Sequence, residues 1–329
     1  MRFLTLSLGL QMIACGGTEA APNDASTQSD SISNSHLAQS CVERVLNYDG
    51  GGCTVNNNPA RDGRFCCDTK PVPGGTFLRD YDGVHALDAG FPATISPYSL
   101  DTYEVTVGRF RSFVEAFPKS RPQAGAGASP RLPNSGWDSS WPLADTQKAL
   151  RLGLINDPQT KGVINWTEQP GGNEDLPMNL LTWYEMFAFC AYDNGRLPTS
   201  AEWNFAAAGG AEQREYPWGD AAPTSLPTSW GVIIEVGVRP NRAKWGHADL
   251  VGNLAEAVVD GAGLVNPCSD CVAAWTAIPP YTKPVPRVRG GGFRSGYIGM
   301  EVAEGETGPV AIDPLERRDD VGFRCARDP

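Results

Sequence analysis

Apolar side chains fall at helical spacing directly after Thr106, where Val107, Phe110, Phe113, Val114 and Phe117 recur every three or four residues. That period lays them on one face of a helix running to about Phe117, with Thr106 placed to cap its start. Two more helices carry capping boxes. Thr182-x-x-Glu185 opens one that runs through Tyr192 and stops at Asn194-Gly195, and Thr199-x-x-Glu202 opens one that stops at Gly209-Gly210. Strand patterns are shorter: Pro73 to Phe77 enters one, and Ile95 to Glu104 holds apolar and aromatic residues of strand type. Between residues 119 and 175, Pro, Gly, Asn and Trp interrupt every period, leaving room for one short helix around Thr146 to Leu152. The remainder predicts short strands and long turns, with no repeat at a fixed period.

The amino terminus follows a different logic. Arg2 precedes an apolar stretch from Phe3 to Ala14, the charge and length of a short export signal. It ends in Met12-Ile13-Ala14-Cys15, which resembles the bacterial lipoprotein processing box, with Met12 in place of the usual Leu. That resemblance implies a signal peptide over residues 1–14, lipidation of Cys15 and anchoring to a membrane of the bacterial cell envelope. Residues 15–40 are rich in Ser, Thr, Asn, Asp and Ala. Such a segment buries too little surface to offset its ordering entropy and reads as a disordered tether.

Composition narrows the function classes. With 41% hydrophobic and 20% charged residues, the 329-residue chain has material for a large core, and 37 Gly and 27 Pro make it loop-rich. A net charge of −11 repels polyanions, which argues against nucleic acid. No apolar run reaches the roughly 18–20 residues of a membrane-spanning helix, so contact with a membrane would be through the lipid anchor only. Of the nine cysteines, eight remain if Cys15 carries lipid, and an even number in an exported chain reads as disulfides. They form two sets: Cys41, Cys53, Cys66 and Cys67, then Cys190, Cys268, Cys271 and Cys325. Neighbouring cysteines bridge poorly, so Cys66 and Cys67 each pair with Cys41 or Cys53, and both options stay open.

Eight further stretches, in order, carry a family resemblance. They are Pro73-Gly-Gly-Thr-Phe77, Leu100-Asp-Thr-Tyr-Glu-Val-Thr-Val107, Leu181-Thr-Trp-Tyr-Glu185 and Arg196-Leu-Pro-Thr-Ser-Ala-Glu-Trp203. Tyr216-Pro-Trp-Gly-Asp220, Asp249-Leu-Val-Gly-Asn253, Arg289-Gly-Gly-Gly-Phe293 and Gly322-Phe-Arg-Cys325 complete them. Together they resemble the sulfatase-modifying factors, the family of the formylglycine-generating enzyme. The resemblance implies an α+β class with much irregular structure, in the family's variant of the C-type lectin-like fold. One large domain over residues 71–329 would then follow a small cysteine module at 41–70. It also implies a disulfide between Cys190 and Cys325, which leaves Cys268 and Cys271 to each other.

The same resemblance locates chemistry and finds it altered. Enzymes of the family hold one copper ion on two cysteines and oxidise a substrate cysteine to formylglycine. Those two positions fall on Ser295 and Met300. A protonated hydroxyl is hard and a thioether uncharged, so copper is not expected here. Gly292 replaces the family's usual serine, and Ala255 and Ala257 replace its tryptophans. Asp249, Gly252, Leu254 and Glu256 match the family's structural calcium segment, two as carboxylates and two as carbonyls, with capping or solvated carboxylates as the alternative. The family's second calcium loop finds no match in residues 221–236. Cys268-Ser-Asp-Cys271 reads as a local disulfide, or else as a relocated dithiol. Zinc would need further ligands nearby. Apart from His36 in the tether, only His85 and His247 remain, too few for the three-histidine iron site of related sulfur-transferring oxidases. His247 is assigned a structural role, and Trp137, Trp141, Trp166 and Trp230 a place in loop packing. The sum is a non-catalytic module binding an exported polypeptide or glycan. Its alternative is a formylglycine-generating-type oxidase acting on cysteines of exported proteins such as sulfatases.

Overall fold

Local signals form as their chemistry dictates. In the computed structural model, the Thr106 side chain accepts from the Arg109 amide and caps helix α1, Val107–Ala116. The capping boxes of Thr182 and Thr199 both close, opening α3 (Trp183–Tyr192) and α4 (Ser200–Ala208). Between α1 and α3, α2 spans Gln147–Ile155, three residues past the expected end. Gly209 ends α4 in the left-handed region at φ +68°, where a side chain would be strained. The residues described are 38–40, 67–84, 87–155, 162–221, 231–261, 265–273, 285–295 and 310–329. The signal segment, Cys15, most of the tether, Cys41, Cys53, Cys66, His85, Trp230 and Met300 lie outside them. Cys67 is disulfide-bonded.

Ten short strands make three sheets among the described residues. β1 (Thr69–Val72) and β10 (Ala326–Arg327) flank β4 (Tyr98–Asp101), which brings the end of the chain against its early strands. β3 (Pro92–Ile95) lies between β2 (Gly75–Leu78) and β6 (Cys268–Ser269). The third sheet runs β8 (Val310–Ala311), β7 (Arg287–Arg289), β5 (Ala255–Ala257), β9 (Val321–Gly322). In it Glu256 stands opposite Arg289 on one side and Gly322 on the other. That register sets Arg324, two residues past Gly322, within reach of Glu256.

Two apolar cores hold the sheets and helices. Phe110, Phe113, Trp183, Phe187, Phe189 and Phe323 fill one, and Val72, Tyr98, Leu100, Trp203, Phe205 and Val258 fill the other. Trp137 and Trp166 are buried in the first, as loop-packing side chains should be. The disulfide Cys190–Cys325 ties the end of α3 to the segment before β10, with a Cα–Cα distance of 5.5 Å. Cys268 and Cys271 are bonded to each other.

Two boundaries move. Thr69 and Lys70 pair with Asp101 and Leu100 in the first sheet, so the large domain begins before residue 71. The tether ends short of residue 40: Ser40 is fully buried and its amide donates to Asp193 Oδ1 at 2.7 Å. The cause is electrostatic. Asp101, Arg109, Asp193 and Arg327 form a buried network of alternating charge, and Ser40 supplies a further donor and a hydroxyl acceptor to it.

Candidate functional site

The positions that the resemblance assigns to the family's chemistry lie in the third sheet and in the turn after β7. Ser295 closes a turn. Its amide donates to the Gly292 carbonyl at 2.9 Å, and its hydroxyl accepts from the Gly292 amide at 3.0 Å. A hydroxyl acting as acceptor in a backbone turn offers copper no thiolate. Gly292 is itself constrained: a Cβ there would stand 2.7 Å from the Asp320 carbonyl oxygen and 3.1 Å from the Ala255 nitrogen. A serine at this position therefore needs backbone to move. Ala255 and Ala257 are buried in the first core, and as alanines they carry no indole of their own to line a groove. Beside the turn, the exposed Arg294 pairs with Asp319. Among the described residues of this turn, none offers a thiolate to a copper ion.

Behind this wall lies a cluster of charge. Glu256 is fully buried in β5 and receives Arg324 through both carboxylate oxygens, Nε to Oε2 at 2.7 Å and Nη2 to Oε1 at 2.5 Å. Trp203 Nε1 donates to Oε2 as well, at 2.8 Å. As a buried strand residue, Glu256 is neither a helix cap nor a solvated side chain. Asp249 adopts φ +53° and accepts from the Gly237 amide. A third carboxylate, Glu104, is fully buried and accepts from the Leu254 amide and from Asn253 Nδ2. Both of those donors are neutral. Burial, with Asp249 and Glu256 nearby, pushes the Glu104 carboxyl well above its usual range. Burial also raises Glu256, against the pull of Arg324. His247 is buried beside this cluster, and burial with Arg324 lowers it to about 3, so it is a neutral structural side chain.

Three carboxylates thus face one guanidinium. Their hard oxygens, with a Gly-Asn turn between them, are the donor type that calcium takes. Among the described residues no three His, Cys, Asp or Glu side chains converge as a metal cage. The fit is therefore one of donor type alone. A cation would depend on carbonyl oxygens together with Asp249, while Glu256 keeps its pair with Arg324. Glu104 and Arg324 are the members sequence reasoning missed. The available signal was Glu104 at the end of the strand-type run from Ile95 to Glu104, since a charge that is buried must be paired or neutralised.

Residues 57–329 match the family described as the sulfatase-modifying factor enzyme 1-like domain. The chain is similar to the inactive C-alpha-formylglycine-generating enzyme 2 of Mus musculus, 27% identical over 292 residues, 78% of this chain and 84% of the relative. To the formylglycine-generating enzyme of Bos taurus it is 29% identical, over 46% of this chain and 42% of that protein. To the hercynine oxygenase of Mycolicibacterium smegmatis it is 31% identical, over 56% of this chain and 44% of that one. Among solved structures, PvdO from Pseudomonas aeruginosa superposes with a TM-score of 0.53 at 17% identity, covering 79% of this chain and 94% of its own. Treponema denticola variable protein 1 does so with a TM-score of 0.51 at 18% identity, covering 79% and 95%. These neighbours share the α+β, C-type lectin-like fold with this chain.

Proposed function

The chain belongs to the sulfatase-modifying factor enzyme 1-like domain family, and from that premise we propose that it is a non-catalytic member, an exported lipoprotein whose domain binds a polypeptide or a glycan. The observation that carries this reading is Ser295, a hydroxyl locked into its own turn with Gly292 where the family's chemistry calls for a thiolate. Met300, at the partner position, offers an uncharged thioether. A Mus musculus relative described as inactive, matched over most of both chains, supports the same direction. Binding without catalysis suits the fold: a rigid double core presents long irregular loops, and such loops carry recognition.

In this reading Cys15 carries the lipid and the chain sits on a membrane of the cell envelope. Calcium, where bound, is structural, held by Asp249 and by the carbonyls of Gly252 and Leu254, with the negative charge of Glu256 behind them. It supplies no chemistry to a substrate. The binding claim is tested by immobilising the full chain and measuring saturable binding of two probe sets, reduced unfolded polypeptides and cell-envelope glycans. Saturable binding to either set is the expected result. Failure of both sets to bind above a heat-denatured control contradicts it.

A further inference from the structure

The chain holds two described disulfides of opposite character. Cys190–Cys325 is sealed, with both residues at 0% exposure, and closes a loop with a sequence separation of 135. Cys268–Cys271 has a separation of 3, so it removes little entropy from the unfolded chain and adds little as a staple. Its turn is held by other means. Cys268 and Ser269 pair with Ala93 and Thr94 in the second sheet. The Asp270 amide donates to the Thr94 carbonyl, and its carboxylate receives the Ser96 amide and hydroxyl, each at 2.7 Å. These contacts do not depend on the sulfur–sulfur bond, so the two cysteines keep their places with it broken.

Their surroundings differ in a way that assigns roles. Cys268 is buried at 5% exposure, whereas Cys271 is half-buried. Arg79, itself only 5% exposed, points Nη1 at Cys271 Sγ from 3.7 Å, while Nη2 donates to the Val265 carbonyl and fixes the guanidinium. The acidic groups near Arg79 have other partners: Asp80 pairs with Arg289, and Asp260 accepts from the Ser200 and Ala273 amides. Asp270 faces Ser96, with Arg131 Nε 4.0 Å away. A fixed cation on one sulfur of a C-x-x-C pair favours the thiolate of that sulfur.

We propose that Cys268 and Cys271 are a redox-active dithiol–disulfide pair that exchanges with a dithiol of another polypeptide, Cys271 being the exchanging cysteine and Arg79 the residue that stabilises its thiolate. A partner thiolate attacks Cys271 Sγ, and the bond to Cys268 breaks. Cys268 leaves as a thiolate that takes a proton from water. The partner's second thiolate then attacks its own sulfur in the mixed disulfide and releases Cys271 as a thiolate beside Arg79. Two electrons have passed from the partner's dithiol, now a disulfide, to this pair. The assignment stands independently of the binding reading above.

The test uses the full chain equilibrated across graded ratios of reduced to oxidised glutathione, with thiols trapped by alkylation and assigned by peptide mapping. The expected result is half-reduction of Cys268–Cys271 at a ratio that leaves Cys190–Cys325 oxidised. Arg79→Gln should then demand several-fold more reducing conditions, and Arg79→Lys should restore most of the difference. As a second readout, Cys268→Ser should form a glutathione adduct at Cys271, whereas Cys271→Ser should leave Cys268 unmodified. Reduction of Cys268–Cys271 only together with Cys190–Cys325, or an equal midpoint in Arg79→Gln, or adducts formed equally at both cysteines, overturns the proposal and leaves a local staple.

Discussion

Asp260 shows at the scale of one residue how burial sets the cost of a charge. It accepts from the Ser200 amide at 2.6 Å and the Ala273 amide at 2.9 Å, yet burial raises its carboxyl from 3.8 to about 6. The folded chain therefore holds a proton that the unfolded chain has released. Its contribution to stability is fully present below pH 3.8 and is lost as pH rises to about 6. A displacement of that size corresponds to about 2–3 kcal/mol. Asp260→Asn removes the titration, so the stability difference between native chain and variant should change by that order between pH 7 and pH 4, in favour of the native chain at acid pH. Urea unfolding at a series of pH values measures it. A difference that stays flat across the window would place the proton elsewhere.

Elements were legible where their signals are local. Both capping boxes, the α1 face and the Gly209 stop span few residues, and each formed as read. Thr182→Ala and Thr199→Ala should each cost about 1 kcal/mol, the worth of an N-cap. Glu202→Gln should cost more than either, because Glu202 serves its box and also receives the buried Arg196 through both oxygens. Equilibrium unfolding of the three variants gives the order, and a Glu202→Gln no worse than Thr199→Ala would contradict it. Sheet order was not legible, because strands of two to four residues carry little pattern and their partners lie far apart in the chain. Thus Glu256 beside Arg324, and Ser40 on Asp193, follow from long-range packing that spacing cannot announce. The Cys190–Cys325 pair was legible only through the family resemblance. The calcium-like segment sits between these cases: its donor types could be read, but the guanidinium occupying Glu256 could not. If calcium binds only the folded chain, millimolar calcium should raise the melting temperature above that in chelator, by the equivalent of about 2.7 kcal/mol at a hundredfold excess over the dissociation constant. Asp249→Ala should abolish the increment, and equal melting temperatures in calcium and chelator would remove the ion from the account.

At the scale of the whole molecule, two cores, three sheets and the Cys190–Cys325 closure make the frame of a fold shared with the family's structural neighbours. At the positions that the family resemblance assigns to copper thiolates the chain has Ser295 and Met300, and Ala255 and Ala257 are buried as ordinary core residues. A non-catalytic domain carries out no copper-dependent oxidation. The direct measurement is to titrate the full chain, disulfides intact, with Cu(I), then add a sulfatase-type cysteine peptide and oxygen while following metal stoichiometry, oxygen uptake and aldehyde formation on the peptide. The account predicts no stoichiometric copper and no oxygen uptake beyond a control without protein; one copper per chain with oxygen-dependent conversion of the peptide cysteine to an aldehyde would contradict it.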